Sequence, residues 1–173
     1  HCLSLFDDDQ KLLEFQDFLD ERLPLVKYDS TRYGAQALFD EQDKLVEIKE
    51  DFLGTSISAG IMELEKKVHS LNGLFIPSHI NRPHNSLLSV LREIPGKLKV
   101  DALEIDCKYL DSSPLEEFPE LRSYTLIRNS DAHHLEGIGS FPSAYFLEKP
   151  TFDEIRKALC QEDGRRIEID FCK

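Results

Sequence analysis

Apolar and polar positions along the chain follow two periods. Residues 1–6 alternate and predict a short strand. Asp7, Asp8 and Asp9 then offer cap oxygens and the negative charge that suits a helix start. Leu12, Phe15, Leu19 and Leu23 recur at helical spacing, with Leu13 and Phe18 alongside, and Pro24 ends that helix. Residues 25–53 resist assignment: 40–50 is charge-rich, and the stretch reads as an insertion or lid. Residues 55–58 supply caps for a helix carrying Ile61, Leu64, Val68 and Leu71, which Asn72-Gly73 stops. Further strands are predicted at 74–78, 100–105, 124–129, 144–147 and 166–171. Helices are predicted at 86–92 and through Leu159, with a short helix or irregular crossover at 114–121. Thr151-Phe152-Asp153-Glu154 reads as a capping box for the helix through Leu159. Strands alternate with helices, and no Asn-Gly hairpin turn joins two strands. The pattern predicts a parallel α/β arrangement with its chemistry at the carboxyl ends of the strands.

Composition narrows the reading. The 173 residues suit one domain, 40% of them are hydrophobic, and no run is long and apolar enough for a membrane span. No signal peptide is visible. Residue 1 is His, the only methionine is Met62, and the chain opens inside a strand, so it reads as a fragment that begins partway through a larger domain. The net charge of −12 argues against an extended nucleic-acid surface and leaves room for a small phosphorylated substrate drawn to a local cationic or metal site. Cys2, Cys107, Cys160 and Cys172 are far apart and form no CxxC, which favours free thiols in a reducing cytoplasm.

The strongest chemical signal is Arg128-Asn129-Ser130-Asp131-Ala132-His133-His134, directly after an apolar strand. Asp131 and His133 stand two apart, so in an extended chain both leave one face, as a carboxylate and an imidazole must to share a divalent metal. The same pair also suits a loop aspartate capping the next segment beside solvated histidines. His134 points to the other face. Leu74-Phe75-Ile76-Pro77-Ser78-His79 repeats the layout, with Asn81, Arg82 and His84 crowding polar groups behind it. Arg82 could grip a phosphate through its planar fork, or form a surface ion pair. His1 is a third candidate ligand, although it sits at the start of its strand. His69 reads as structural, Glu104 as a salt-bridge partner with a base or ligand as the alternative, and Asp106 and Lys108 have no special case.

Together, Ile76-Pro77-Ser78-His79-Ile80-Asn81-Arg82-Pro83, Asp101-Ala102-Leu103-Glu104-Ile105 and Asn129-Ser130-Asp131-Ala132-His133 resemble the polymerase-and-histidinol-phosphatase (PHP) family. The opening residues 1–6, Ile138-Gly139 and Phe152-Asp153-Glu154-Ile155-Arg156 also fit it. The resemblance implies a distorted (β/α)7 TIM-like barrel of the PHP type, here lacking its N-terminal strands. The chain, 1–173, would then be the C-terminal part of a single PHP domain. The resemblance further implies two or three divalent metal ions (Zn, Mn or Fe). By position His1 and His79 would hold one metal, Asp131 another and His133 a third or shared one, with Arg82 near the substrate phosphate. The family's early ligands would lie before His1, so this chain alone would carry part of the active site and be impaired.

The expected activity is metal-dependent phosphoester hydrolysis in the intact protein, on a small phosphorylated molecule or nucleotide. No membrane association is expected, the location is cytoplasmic, and homo-oligomerisation would cover exposed strand edges. The alternative is a non-catalytic PHP-like structural or interaction module. A metal-dependent amidohydrolase is a third reading, disfavoured by the Arg82 neighbourhood.

Overall fold

In the computed structural model, residues 1–109 and 114–170 are described. The strands are β1 (Cys2–Leu5), β2 (Gln36–Phe39), β3 (Leu45–Lys49), β4 (Leu74–Pro77), β5 (Leu103–Glu104), β6 (Leu126–Ile127), β7 (Ser143–Phe146) and β8 (Arg166–Ile169). The helices are α1 (Asp9–Asp20), α2 (Ser30–Tyr33), α3 (Ile61–Ser70), α4 (Leu87–Leu91), α5 (Pro114–Glu117) and α6 (Phe152–Cys160). Two compact units emerge, one of His1–Leu12 with Ile61–Lys173 and one of Leu13–Gly60, the division falling inside α1.

Among the described residues the strands pair in twos. β1 with β4, β2 with β3 and β7 with β8 are antiparallel, and β5 with β6 is parallel. This corrects the expected (β/α)7 barrel. A barrel needs every strand bonded on both edges with a continuous stagger. Among the described residues no sheet exceeds two strands, and β5 and β6 are two residues long. The parallel expectation holds for β5–β6 alone among the described pairs, and a hairpin does not need Asn-Gly. At β2–β3 the Asp40 carboxylate builds the turn, accepting from Gln42 N at 3.0 Å and Lys44 N at 2.9 Å.

In the larger unit the core gathers on β4, whose Leu74, Phe75 and Ile76 are buried completely or nearly so. Each such side chain contributes about 1.5–3 kcal/mol of burial. Leu74 and Ile76 cluster with Ala102, Ile127 and Leu159, flanked by Phe152, Ile155 and Ile167. Helix α3 stops where the sequence predicts: Asn72 turns left-handed at φ 57, and Gly73 N bonds back to Val68 O at 2.9 Å. Gly73 is required by space, since a Cβ there would lie 2.6 Å from the Phe6 ring and 2.9 Å from Val68. His69 ties this corner together. Its Nδ1 meets Glu65 at 2.7 Å and its Nε2 meets Asp101 at 2.9 Å, and the Asp101 carboxylate also accepts the amide of Phe75 at 2.7 Å.

Capping differs from expectation at α6. Thr151 makes no side-chain cap bond, and the Glu154 carboxylate instead accepts from Glu148 N and from Arg165 Nε, at 2.9 and 2.8 Å. A reciprocal box forms at α4, where Ser86 and Ser89 exchange side-chain and backbone bonds. Serine at the third helical position hid it from a search for Glu or Gln.

In the Leu13–Gly60 unit, Tyr28, Tyr33 and Phe52 form an aromatic trio with ring centroids 5.8–6.3 Å apart. Asp29 caps α2 through Thr31 N at 3.1 Å. Phe171 and Cys172, assigned from sequence to the last strand and to a free thiol, lie outside the described residues. Among the described residues, no helix is long and apolar enough to cross a membrane.

Candidate functional site

Strand pairing decides which side chains meet. β1 runs antiparallel to β4 with Cys2 opposite Pro77, so the start of β1 lies at the end of β4. This removes the difficulty with His1: its carbonyl accepts Ser78 N at 3.0 Å and its ring arrives beside His79. The parallel pairing of β5 with β6 brings Glu104, the last residue of β5, level with Ile127, just ahead of Asn129 and Asp131. His1, Ser78, His79, Glu104, Asn129, Asp131 and Tyr145 share the lining of one cavity of about 450 Å³. Leu3, Leu5, Ile76 and Ile127 form its apolar wall.

His1 Nδ1 and His79 Nε2 face each other at 2.9 Å, with ring centroids 4.9 Å apart. His79 is 3% exposed, and its Nδ1 is buried without a partner. Burial pushes the His79 pKa down, and the Arg82 charge acts in the same direction, which favours the neutral ring. Its backbone sits at φ 34, a left-handed conformation that a residue with a Cβ adopts only when its surroundings enforce it. Glu104 is buried, and its carboxylate accepts Asn129 Nδ2 at 2.8 Å. Burial raises the Glu104 carboxyl above its ordinary range, although hydrogen bonds from Asn129 and from the His79 backbone oppose the rise.

Arg82 bridges two carboxylates. Its Nε donates to Asp106 at 2.8 Å and its Nη2 to Asp131 at 2.7 Å. Asp106 is pinned in turn, because its backbone N–H and C=O exchange bonds with the Asn81 amide, both at 2.9 Å. Desolvation alone would raise the Asp131 carboxyl. The Arg82 hydrogen bond and charge, aided by His133 and His79, outweigh it and hold the group below the usual carboxylate range. Asp131 is also left-handed, at φ 44.

The sequence-predicted residues therefore divide. His1, His79 and Asp131 line one cavity, and Arg82 joins it through Asp131. His133 does not: it is exposed, its Nδ1 lies 2.9 Å from the Asp131 carbonyl, and it lines a separate surface hollow with His134. The positive φ at Asp131 breaks the extended geometry that the two-residue spacing assumed. Asn129, Asp106 and Tyr145 were missed as site residues. For Asp106 the signal was available: it follows a buried strand, as His79 does. Among the described residues Glu104 has no salt-bridge partner and is hydrogen-bonded to the Asn129 amide.

The facing nitrogens of His1 and His79, with the orphaned His79 Nδ1, fit the imidazole side of a cation site. Among the described residues no three His, Cys, Asp or Glu side chains converge on one point. The residues present thus fit part of a metal centre.

No family model matches the chain. It is 35% identical over 111 residues to the uncharacterized protein YqxK of Bacillus subtilis (strain 168), covering 61% of this chain and 28% of YqxK. In fold it is similar to the lesion-specific endonuclease PfuEndoQ of Pyrococcus furiosus, with a TM-score of 0.69, 22% identity and 96% of this chain covered. An endonuclease Q bound to a 27-mer duplex substrate with an abasic lesion at its active site matches equally well, with a TM-score of 0.69 and 21% identity. The chain spans about a third of the length of these proteins, 28% of YqxK and 37% of each endonuclease chain.

The duplex complex corrects the expected partner. By sequence, a net charge of −12 favours a small phosphorylated molecule or nucleotide over an extended nucleic-acid surface. A protein of similar fold holds a 27-mer duplex substrate, so a net negative charge does not exclude such a partner for this fold. Net charge averages over the whole molecule and does not report the field at one face.

Proposed function

We propose that this chain carries part of the catalytic cavity of a PHP-type, metal-dependent nuclease that cuts the phosphodiester backbone of DNA at a damaged position. The cavity carries the reading: two facing imidazoles, a buried carboxylate and an arginine-held aspartate meet at adjoining strand ends. The fold likeness to endonuclease Q supports the choice of substrate.

In this reading His1 and His79 hold a divalent cation, zinc, manganese or iron, together with donors supplied from outside this chain. When bound, the cation supplies hydroxide near neutral pH. The rest is the work of the chain itself. Arg82 fixes Asp131 against the cavity and keeps it ionised, and its remaining N–H donors are available to a phosphate oxygen. Asp106 and Asn81 keep the Arg82 fork in place. Asn129 holds Glu104 at the cavity lining, where a carboxyl of raised pKa can exchange a proton with the leaving or attacking oxygen. Residues 25–53, which fall within the compact unit Leu13–Gly60, are read as an insertion or lid. The reading carries a cytoplasmic location, where Cys2, Cys107 and Cys160 remain thiols.

The test is incision of a labelled duplex with one abasic site by the full-length protein loaded with manganese or zinc. We expect one cut at the lesion, with the rate falling by about a hundredfold or more in His79→Ala and Asp131→Ala, as when a principal catalytic contact is lost. An intact duplex after incubation with folded, metal-loaded wild type would sink the reading and leave a non-catalytic module.

A further inference from the structure

One side of β7 brings to the cavity a side chain that the hydrolytic steps above do not use. Ser143 and Tyr145 stand two apart in this strand and leave the same side of it. Ser143 fixes that side against the end of β6: its hydroxyl accepts Arg128 N at 2.7 Å and donates to Arg128 O at 2.9 Å. Tyr145, opposite Ile167 of β8, lines the cavity with Glu104, Asn129 and Asp131. Phe146 takes the other side, where the Arg166 guanidinium lies 3.8 Å from its ring centre.

The other polar groups of the lining are largely engaged with one another. Asn129 gives its amide to Glu104, Asp131 accepts from Arg82, and the His1 and His79 nitrogens face each other. Glu104 and Asp131 bring acceptors, so the lining is poor in donors for an anionic ligand. Two hydroxyls remain, of Ser78 and Tyr145. Ser78 is buried, whereas Tyr145 is 37% exposed, and among the described residues the Tyr145 hydroxyl has no hydrogen-bond partner. Burial first, and then the Glu104 charge, push the phenol pKa up, so the group keeps its proton and can donate throughout the neutral range. A tyrosine supplies this donor without adding charge, and its ring holds the hydroxyl at low conformational cost.

We propose that the Tyr145 hydroxyl positions the substrate in this cavity by donating a hydrogen bond to a non-bridging oxygen of the scissile phosphate. The contact rests on the nuclease reading above and adds to it a neutral donor, which with Arg82 offsets the repulsion that two carboxylates would set against a phosphodiester.

Two measurements on the full-length protein test the contact. The first compares wild type with Tyr145→Phe, loaded with manganese, on a duplex with one abasic site whose scissile linkage is the natural phosphate or either phosphorothioate isomer. We expect Tyr145→Phe to lower kcat/KM about tenfold on the phosphate, the worth of one hydrogen bond to a charged acceptor, with KM carrying the loss. The loss should shrink to about twofold or less on the isomer whose sulfur, a poor acceptor, replaces the bonded oxygen. Melting should be unchanged, because one oxygen is removed from a partly exposed side chain. The second titrates inorganic phosphate into zinc-loaded protein labelled at the tyrosine Cζ carbons, with the Tyr145 resonance identified by its absence in Tyr145→Phe. That resonance should shift as phosphate binds, and the variant should bind phosphate about tenfold more weakly. An equal loss on the phosphate and on both isomers would mark a structural role and overturn the contact. If the duplex is cut at the same rate by wild type and Tyr145→Phe and the resonance stays still, the contact falls and the nuclease reading stands. If no duplex is cut but phosphate shifts the resonance and the variant binds it more weakly, the nuclease reading falls and the phosphate contact stands. If neither happens, both fall. A loss seen in Ser78→Ala and not in Tyr145→Phe would move the donor to Ser78 and overturn the assignment.

Discussion

Removing the Arg82 side chain isolates the electrostatics that hold the cavity. Arg82→Ala deletes two charge-assisted hydrogen bonds, to Asp106 at 2.8 Å and to Asp131 at 2.7 Å. Such bonds contribute about 1.5–3 kcal/mol each when shielded. The Asp106 side chain is 11% exposed and meets that condition, whereas Asp131 is 35% exposed and its share is screened by water. The expected loss is about 2–3 kcal/mol, dominated by the carboxylate of Asp106 left without its cation. For a chain of this size that lowers Tm by roughly 4–12 °C. Arg82→Lys keeps the charge but loses the fork and should recover less than half. The pH dependence has a definite sign. The Asp131 carboxyl is depressed in the folded protein, so its stabilisation is present above the ordinary carboxylate range and disappears as pH falls through the folded value. Circular-dichroism melts of both proteins from pH 7 downward should show a gap that is full at neutrality and shrinks in acid. A variant that melts with wild type at pH 7, or a gap that widens on acidification, would refute the reasoning.

Two further outcomes follow from packing and charge. Gly73→Ala places a methyl within 2.6 Å of the Phe6 ring and should cost about 1–3 kcal/mol, read as a lower urea midpoint at unchanged slope. Glu154, held at a pKa of about 2 by Arg165 and the Glu148 amide, should stabilise wild type over Glu154→Gln above the ordinary carboxyl pKa. That advantage should be lost as pH falls to about 2, and thermal melts across this interval measure it.

The helices were legible because their periodicity survives folding. α1, α3 and α6 occupy the stretches where apolar residues recur at helical spacing, and Asn72-Gly73 stops α3 as its chemistry dictates. The strands were less so. The apolar runs at 100–105 and 124–129 are genuine core, yet only two residues of each pair, since burial selects residue type and pairing depends on neighbours. Pairing direction was invisible for the same reason, and it is what brings His1 to His79. Local spacing misled at His133, where one left-handed residue redirects the chain, and at Thr151, where Glu154 has better partners than a helix cap. Histidines at strand ends could be read one at a time. The amide and carboxylate supports, Asn129 on Glu104 and Asp106 on Arg82, are set by tertiary neighbours that no window contains.

The position of His69 limits how this protein can vary. One ring separates two carboxylates, Glu65 and Asp101, and the second of these also carries the Phe75 amide of the central core segment. An apolar replacement of similar size would fill the space and leave like charges confronting each other across it. Drift at that corner is therefore confined to concerted exchanges of all three side chains, and a lineage that has kept any one of them is expected to have kept the set.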